Sequence, residues 1–153
     1  MELPITKLLN QKQIPHKLIK LAQTAISVDD VVKYSNGEIK REEICKTIIV
    51  KGRKTNNKFG VFVLGDDRID FKKLKQVSTE EMTMADFQEV KEVAGVDPGA
   101  VCPFMLTVPL FVDKKVISLK QVNCGSGDHL FGIEFQLNDL QKSVKYEVID
   151  CVK

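Results

Sequence analysis

The middle of the chain carries two runs of β-branched and aromatic residues, KTIIVK at 46–51 and FGVFVL at 59–64, separated by the polar segment GRKTNN. Such side chains pack well on a pleated surface, and a short polar link between two runs predicts an antiparallel hairpin. A two-stranded hairpin is marginal alone in water, so other elements are expected to pack around it.

Those elements follow from the same kind of reading. Residues 5–12 (ITKLLNQK) predict a short amphipathic helix that ends before Pro15, and HKLIKLA (16–22) predicts a strand. Ser27 is an N-cap for VDDVVKYSN, with Asp29 and Asp30 in the first turn, where negative charge suits the helix dipole. Asn36-Gly37 ends that helix. Asp66, Asp67 and Arg68 turn the chain into the helix IDFKKLKQV (69–77), and residues 86–95 form another helix ended by Gly95. TVPLFVD (107–113), VISLK (116–120), LFGIEFQL (130–137) and YEVIDCV (146–152) are expected strands. A turn at Asp113-Lys114 and the loop GSGDH (125–129) separate the first three, and Asn138 is expected to cap the short helix DLQKSV (139–144). Strands and helices mix irregularly, which gives the class α+β (mixed α/β): one sheet with helices packed around it. The regular alternation and the G-x-G-x-x-G loop of a dinucleotide fold are missing.

A chain of 153 residues with 43% hydrophobic and 29% charged residues reads as one domain spanning 1–153, able to bury a core without disulfides or metal. The N-terminus has no apolar stretch suited to a signal peptide or membrane span, so a cytosolic location and no membrane partner are expected. The net charge of +2 neither demands nor excludes nucleic acid. Lysines cluster at 51–58, at 71–75 and around Lys114, Lys115 and Lys120, for which a solvated face is the commoner explanation. Cys45, Cys102, Cys124 and Cys151 form no CxxC pair, and only His16 and His129 accompany them. They read as free, mostly buried thiols, with no metal and no cofactor expected.

Three places combine unusual backbone with reactive side chains. Lys46 opens an otherwise apolar strand: it either snorkels to solvent or is itself a cation held at the mouth of a cleft, to grip a phosphate or a carboxyl-derived oxygen. The segment DPGAVCPF (97–104) cannot be helical, because Pro98 and Pro103 each remove a donor. In it, Gly99 permits close approach and positive φ, Pro103 stiffens the exit, and the amides of Ala100, Val101 and Cys102 could form an oxyanion-type nest. The other reading is a structural turn before a buried strand. In NCGSGDH (123–129), Gly125, Ser126 and Gly127 either approach a ribose or phosphate or simply make a tight connection. Asp128 and His129 suggest a triad with Cys102 or Cys124, but neighbouring strand residues point to opposite faces, so Asp128 is badly placed to orient His129.

Taken in order, I-C-K-T-I-I-V-K, V-F-V-L-G-D-D-R-I-D, A-G-V-D-P-G-A-V-C-P-F, V-P-L-F-V-D and the Gly-Ser-Gly loop resemble the YbaK/prolyl-tRNA synthetase (INS-type) aminoacyl-tRNA editing-domain family, roughly from Leu8 to Leu140. The resemblance implies a single mixed, mainly antiparallel sheet surrounded by helices. It further implies hydrolysis of the ester of a wrongly charged tRNA carrying alanine, cysteine or another small residue, for example on tRNA-Pro. Lys46 matches the family's key lysine, Gly99 to Pro103 its G-x-x-x-P loop, and Gly125 to Gly127 the glycine-rich loop that closes its pocket. Cys102 stands where members often carry a small polar residue. Ile49, Val101, Cys102 and Phe104 are candidates for the pocket wall, with Asp128 and His129 as further substrate contacts. The implied partners are the 3′ CCA end of an aminoacyl-tRNA and an aminoacyl-tRNA synthetase. Two other readings stay open: a non-catalytic tRNA- or synthetase-binding module, and a cysteine hydrolase using Cys102 or Cys124 with His129.

Overall fold

The computed structural model describes residues 2–153. Its centre is the expected hairpin: β2 (Cys45–Gly52) and β3 (Lys58–Leu64) pair antiparallel from Cys45 opposite Leu64 to Lys51 opposite Lys58. Around it, β4 (Met82–Met84) pairs antiparallel with β2, while β5 (Leu110–Asp113) lies parallel to both β3 and β8 (Tyr146–Ile149). The sheet order is β4-β2-β3-β5-β8.

A second, wholly antiparallel sheet has the order β1-β7-β6, from β1 (His16–Lys20), β6 (Gln121–Gly125) and β7 (Phe131–Gln136). The class is mixed α+β, and among the described strands only the strand pairings of β5 are parallel. The one expected sheet is divided in two, because β6 meets the strand leading into β2 at a single parallel bridge, Ile44 with Asn123.

Among the described residues, four α-helices pack on these sheets. α1 (Pro4–Gln11) has proline in its first turn, where no donor is lost. α2 (Val28–Tyr34) is capped as the sequence predicts, Ser27 Oγ accepting from the Asp30 amide at 3.1 Å. Asp70 caps α3 (Phe71–Ser78), and Asp86 with Glu89 makes a capping box at the start of α4 (Phe87–Ala94), which Gly95 ends in the left-handed conformation.

Several strand boundaries differ from the sequence reading. Residues 116–120 are no strand: Val116–Ser118 is a 3-10 turn, closed by Leu119 N–H to the Val116 carbonyl at 3.0 Å, and the strand begins at Gln121. Asn123, Cys124 and Gly125 therefore lie in β6 rather than in a loop. The strand expected over 107–113 starts only at Leu110, after Pro109, and Leu137–Lys142 is a 3-10 helix in which Asn138 is internal and caps nothing. β4, three residues long, is too short for its alternation to be read.

The main core lies between the sheets. Phe62, Val112, Val122 and Ile133 are fully buried there with Ile5 and Leu9 of α1, and Phe104 meets Phe135 edge-on at 4.8 Å. On the outer face of the larger sheet, Val50, Val61 and Val63 bury Leu74 of α3. α4 packs Val90 and Ala94 against Ile49 and Val101. The chain from α4 thus enters the 97–104 segment already anchored.

Candidate functional site

Where the two sheets meet, a cleft of about 320 Å³ opens beside the Ile44–Asn123 bridge. Cys45 and Lys46 at the start of β2 and Asn123, Cys124 and Gly125 at the end of β6 line one part of it. Gly99, Ala100 and His129 line a second, and residues from Leu21 to Val31 form an apolar wall.

Lys46 is half-buried and, among the described residues, makes no ion pair within 4.0 Å. Burial pushes its pKa below the ordinary lysine value; Asp66 and Asp67 pull it back up, and Arg68 adds slightly to the lowering. Arg41 clamps the apolar wall. Its Nε and Nη2 fork onto the Asp66 carboxylate at 2.8 Å each, while Nη1 reaches Asp29 of α2 at 2.7 Å. The guanidinium holds the Asp66 carboxyl below its usual range, so this pair stays ionised and fixes α2 over the cleft.

The 97–104 segment makes a turn: the Ala100 amide donates to the Asp97 carbonyl at 3.1 Å, with Pro98 and Gly99 between them and Gly99 at φ +90°. This corrects the expected row of three free amides at one position: the Ala100 N–H is already engaged. The amides of Val101 and Cys102 donate to no acceptor among the described residues, but both residues are buried, 3% and 1% exposed, and neither lines the cleft. Gly99 does line the cleft, and its N–H likewise donates to no acceptor among the described residues.

Ile49, Val101, Cys102 and Phe104 do not form the wall. Ile49 and Val101 face α4, while Cys102 and Phe104 belong to the core between the sheets; Pro103 is buried and opens a 3-10 turn. The wall comes instead from Leu21, Ala25, Ile26, Val28 and Val31. The signal for it was the apolar pair Val28 and Val31 on one face of α2, with Ile26, 75% exposed, just before its cap.

The glycine loop reaches the cleft in part. Gly125, Asp128 and His129 line it, but Ser126 is buried, its Oγ 2.7 Å from the Phe131 carbonyl and 3.0 Å from that of Asp128. Gly127 faces a separate cavity behind the loop, shared with Cys102 and α1. Asp128 Oδ1 accepts from the Leu130 amide at 2.8 Å and does not touch His129. His129 Nδ1 lies 3.1 Å from the Ala25 carbonyl; since that oxygen only accepts, Nδ1 carries a proton and Nε2 is the ring nitrogen left without a partner among the described residues.

Cys45 and Cys124 are poor nucleophiles, and Cys102 is shut away in the core, 1% exposed. Burial pushes Cys45 up to about 12 and Cys124 well above its ordinary value, with Cys102 in contact, and no histidine is bonded to any of them. The cysteine-hydrolase reading is therefore set aside. Sequence reasoning missed Asn123, 2% exposed at the cleft, whose Nδ2 has no hydrogen-bond partner. No group of three or more His, Cys, Asp or Glu among the described residues could hold a metal ion, and no helix there is long and apolar enough to cross a membrane.

Two sheets meeting at a half-buried, unpaired cation, a positive-φ glycine turn and an apolar wall define a small-ligand cleft, with Asp128 and His129 at its glycine-loop side. The profile of the aminoacyl-tRNA editing domain matches residues 23–143, and the chain belongs to that family. It is 26% identical over 128 residues to the proline--tRNA ligase of Blochmanniella pennsylvanica (strain BPEN), a match that covers 77% of this chain and 22% of that enzyme. The chain thus spans about a fifth of the length of that curated relative. A crystal structure of a hypothetical protein has the same fold at TM-score 0.87 and 23% identity, covering 97% of this chain and 99% of that one. So does a structure provisionally described as a trans-editing enzyme for prolyl tRNA synthetase, at TM-score 0.82 and 18% identity, covering 97% and 94%.

Proposed function

We propose that residues 1–153 act as one cytoplasmic editing domain, a deacylase that hydrolyses the ester of a mischarged aminoacyl-tRNA carrying a small residue such as alanine or cysteine, for example on tRNA-Pro. The observation that carries this reading is Lys46: a lysine with no carboxylate within 4.0 Å among the described residues, in a largely apolar cleft that also holds Asn123, Asp128 and His129. In a chain of the editing-domain family, such a cation is suited to the terminal phosphate or the aminoacyl end.

An aminoacyl ester is already activated, so placement and charge stabilisation matter more than a strong nucleophile. Water attacks the carbonyl carbon, the bond to the ribose oxygen breaks, and that oxygen takes up a proton as the free amino acid leaves. Lys46 and the Gly99 amide stand where they can stabilise negative charge on the carbonyl oxygen, and His129 Nε2 can accept a hydrogen bond from the water, the amino group or the ribose hydroxyl. Ile26, Val28 and Val31 limit the volume beside them, and a missing or extra methylene there is worth about 1–3 kcal/mol of selection. A prolyl-tRNA synthetase is the partner that the relatives suggest.

The test is a hydrolysis panel of mischarged tRNAs run with the wild type and Lys46→Ala together. Release of a small amino acid by the wild type, slowed about 10²-fold or more in the variant, supports the reading. Equal rates for the two proteins would move the active site elsewhere. Absent hydrolysis with retained tRNA or synthetase binding would favour the non-catalytic module.

A further inference from the structure

We propose that the tip of the β2–β3 hairpin and the exposed side of α3 form a second anion-binding surface, which holds phosphates of the tRNA acceptor arm while its 3′ end lies in the cleft. The inference rests on the reading of an RNA substrate and extends it to where the rest of that substrate lies.

The two lysine clusters of the sequence, 51–58 and 71–75, converge in the fold. Arg53, Lys72 and Lys75 line one shallow groove of about 320 Å³, together with the ring of Phe71. The hairpin tip is fixed there by the Arg53 amide, which donates to the Glu81 carbonyl at 2.9 Å. Pairing sorts the cations of the two clusters. Lys51 and Lys58 are held by Glu89, and Lys73 by Asp150. Lys54, Lys72 and Lys75 have no carboxylate within 4.0 Å among the described residues, and Arg53 has only an open 3.6 Å pair with Glu81, both side chains more than half exposed. Such an exposed pair is worth little and yields to a stronger anion.

Lone surface lysines are ordinarily just solvated. Position distinguishes these. Lys46, Ile48 and Val50 alternate onto one face of β2, and α3 covers that face through Leu74 and Phe71. The cleft lysine and the groove therefore sit on the same face of one strand. Six residues of β2 separate Lys46 from Gly52, about 20 Å at about 3.3 Å per residue. An RNA strand leaving the cleft on that side and passing over the exposed face of α3 meets Lys72, Lys75 and Arg53. A forked guanidinium, two ammonium groups and a half-exposed aromatic ring suit phosphates and an unstacked base better than they suit a protein carboxylate.

The experiment compares wild type, the triple variant Arg53→Glu/Lys72→Glu/Lys75→Glu and the milder Lys72→Gln/Lys75→Gln, each shown to melt as the wild type does. Binding of an uncharged tRNA-Pro transcript and of the trinucleotide CCA is measured by fluorescence anisotropy across a salt series. The triple variant is expected to lose about tenfold or more in tRNA affinity at about 100 mM salt, with the log–log salt slope reduced by about 2, while CCA binding is unchanged. The double variant should fall between. Unaltered tRNA affinity and slope, a wild type that does not bind tRNA, or an equal loss for the trinucleotide would each overturn the proposal. Hydrolysis is scored separately. A wild type that binds tRNA through this surface but deacylates nothing would sink the editing reading alone, and intact deacylation with indifferent charge reversal would sink the surface alone.

Discussion

The amide of Gly127 donates to the carbonyl of Ala100 at 2.8 Å, and so fastens the glycine loop to the proline loop beside the cleft. The loops can come that close because position 125 lacks a Cβ. One added there would stand 2.6 Å from the Ala100 carbonyl carbon and 2.8 Å from the carbonyl oxygens of both Ala100 and Val101. These are backbone atoms, which cannot swing aside as a side-chain tip can. Gly125→Ala is therefore expected to cost about 1–3 kcal/mol of stability and to part the two loops. Chemical denaturation and deacylation of the same sample check this, with the rate falling even where the variant is fully folded.

Gly99 and Cys102 are three residues apart, yet their substitutions should separate stability from activity. A Cβ on Gly99 has room, with His129 Cε1 at 3.7 Å, but φ +90° is strained for any L side chain, at about 1–2 kcal/mol. A larger group would also project toward the imidazole at the cleft wall. Cys102 is 1% exposed in the core and contributes packing alone. Gly99→Val is expected to abolish most deacylation, and Cys102→Ala to lower the melting temperature while leaving kcat/KM unchanged below it. An inactive, folded Cys102→Ala protein would restore the thiol as a participant.

The central hairpin, the helix caps at Ser27 and Gly95 and the turn at Pro98-Gly99 were legible because each depends on a few neighbouring residues. Lys46 was legible for a different reason: a lone cation opening an apolar strand stands out in the sequence. The cleft wall was not, because Val28 and Val31 become a wall only when Arg41 ties Asp29 to Asp66, residues far apart in the chain. The donors of the proline loop were misjudged on similar grounds. A sequence shows that Ala100 has an N–H, but only the fold shows that Asp97 has already claimed it. Asn123 was hidden by the misplaced strand, since a residue read as loop is not expected to be buried at a site.

Lys46 carries a pH signature. Its pKa is lowered, chiefly by burial, so the cation is lost below the pH at which a free lysine deprotonates. If deacylation needs the cation, kcat/KM should fall on the alkaline side starting below the ordinary lysine value, and Lys46→Arg should remove that limb. Stability runs the other way. Between the lowered native pKa and the unfolded value the unfolded chain binds more protons, so native stability rises with pH through that window. Lys46→Met, which retains the stem without the charge, should be at least as stable as wild type yet inactive, a combination expected of functional sites. A pH–rate profile and a urea series on the same three proteins decide it.

Glu89 anchors the helix that leads into the proline loop. Its carboxylate accepts from the Asp86 amide at 3.0 Å and from Lys51 Nζ at 2.8 Å, with Lys58 at 3.6 Å. These contacts, the amide first and then Lys51, hold its pKa down to about 2, against an ordinary 4.5. Because the native value is the lower one, the stabilisation is complete above about pH 4.5 and is lost as pH falls toward 2. Glu89→Gln should therefore unfold at lower urea than wild type at neutral pH, with the gap between the two midpoints closing as the pH approaches 2. A gap that persisted in acid would mean that Glu89 acts through packing rather than charge. Since α4 delivers Gly99 to the cleft, the same variant at neutral pH should also show a raised KM, with little change in kcat as long as Lys46 keeps its place.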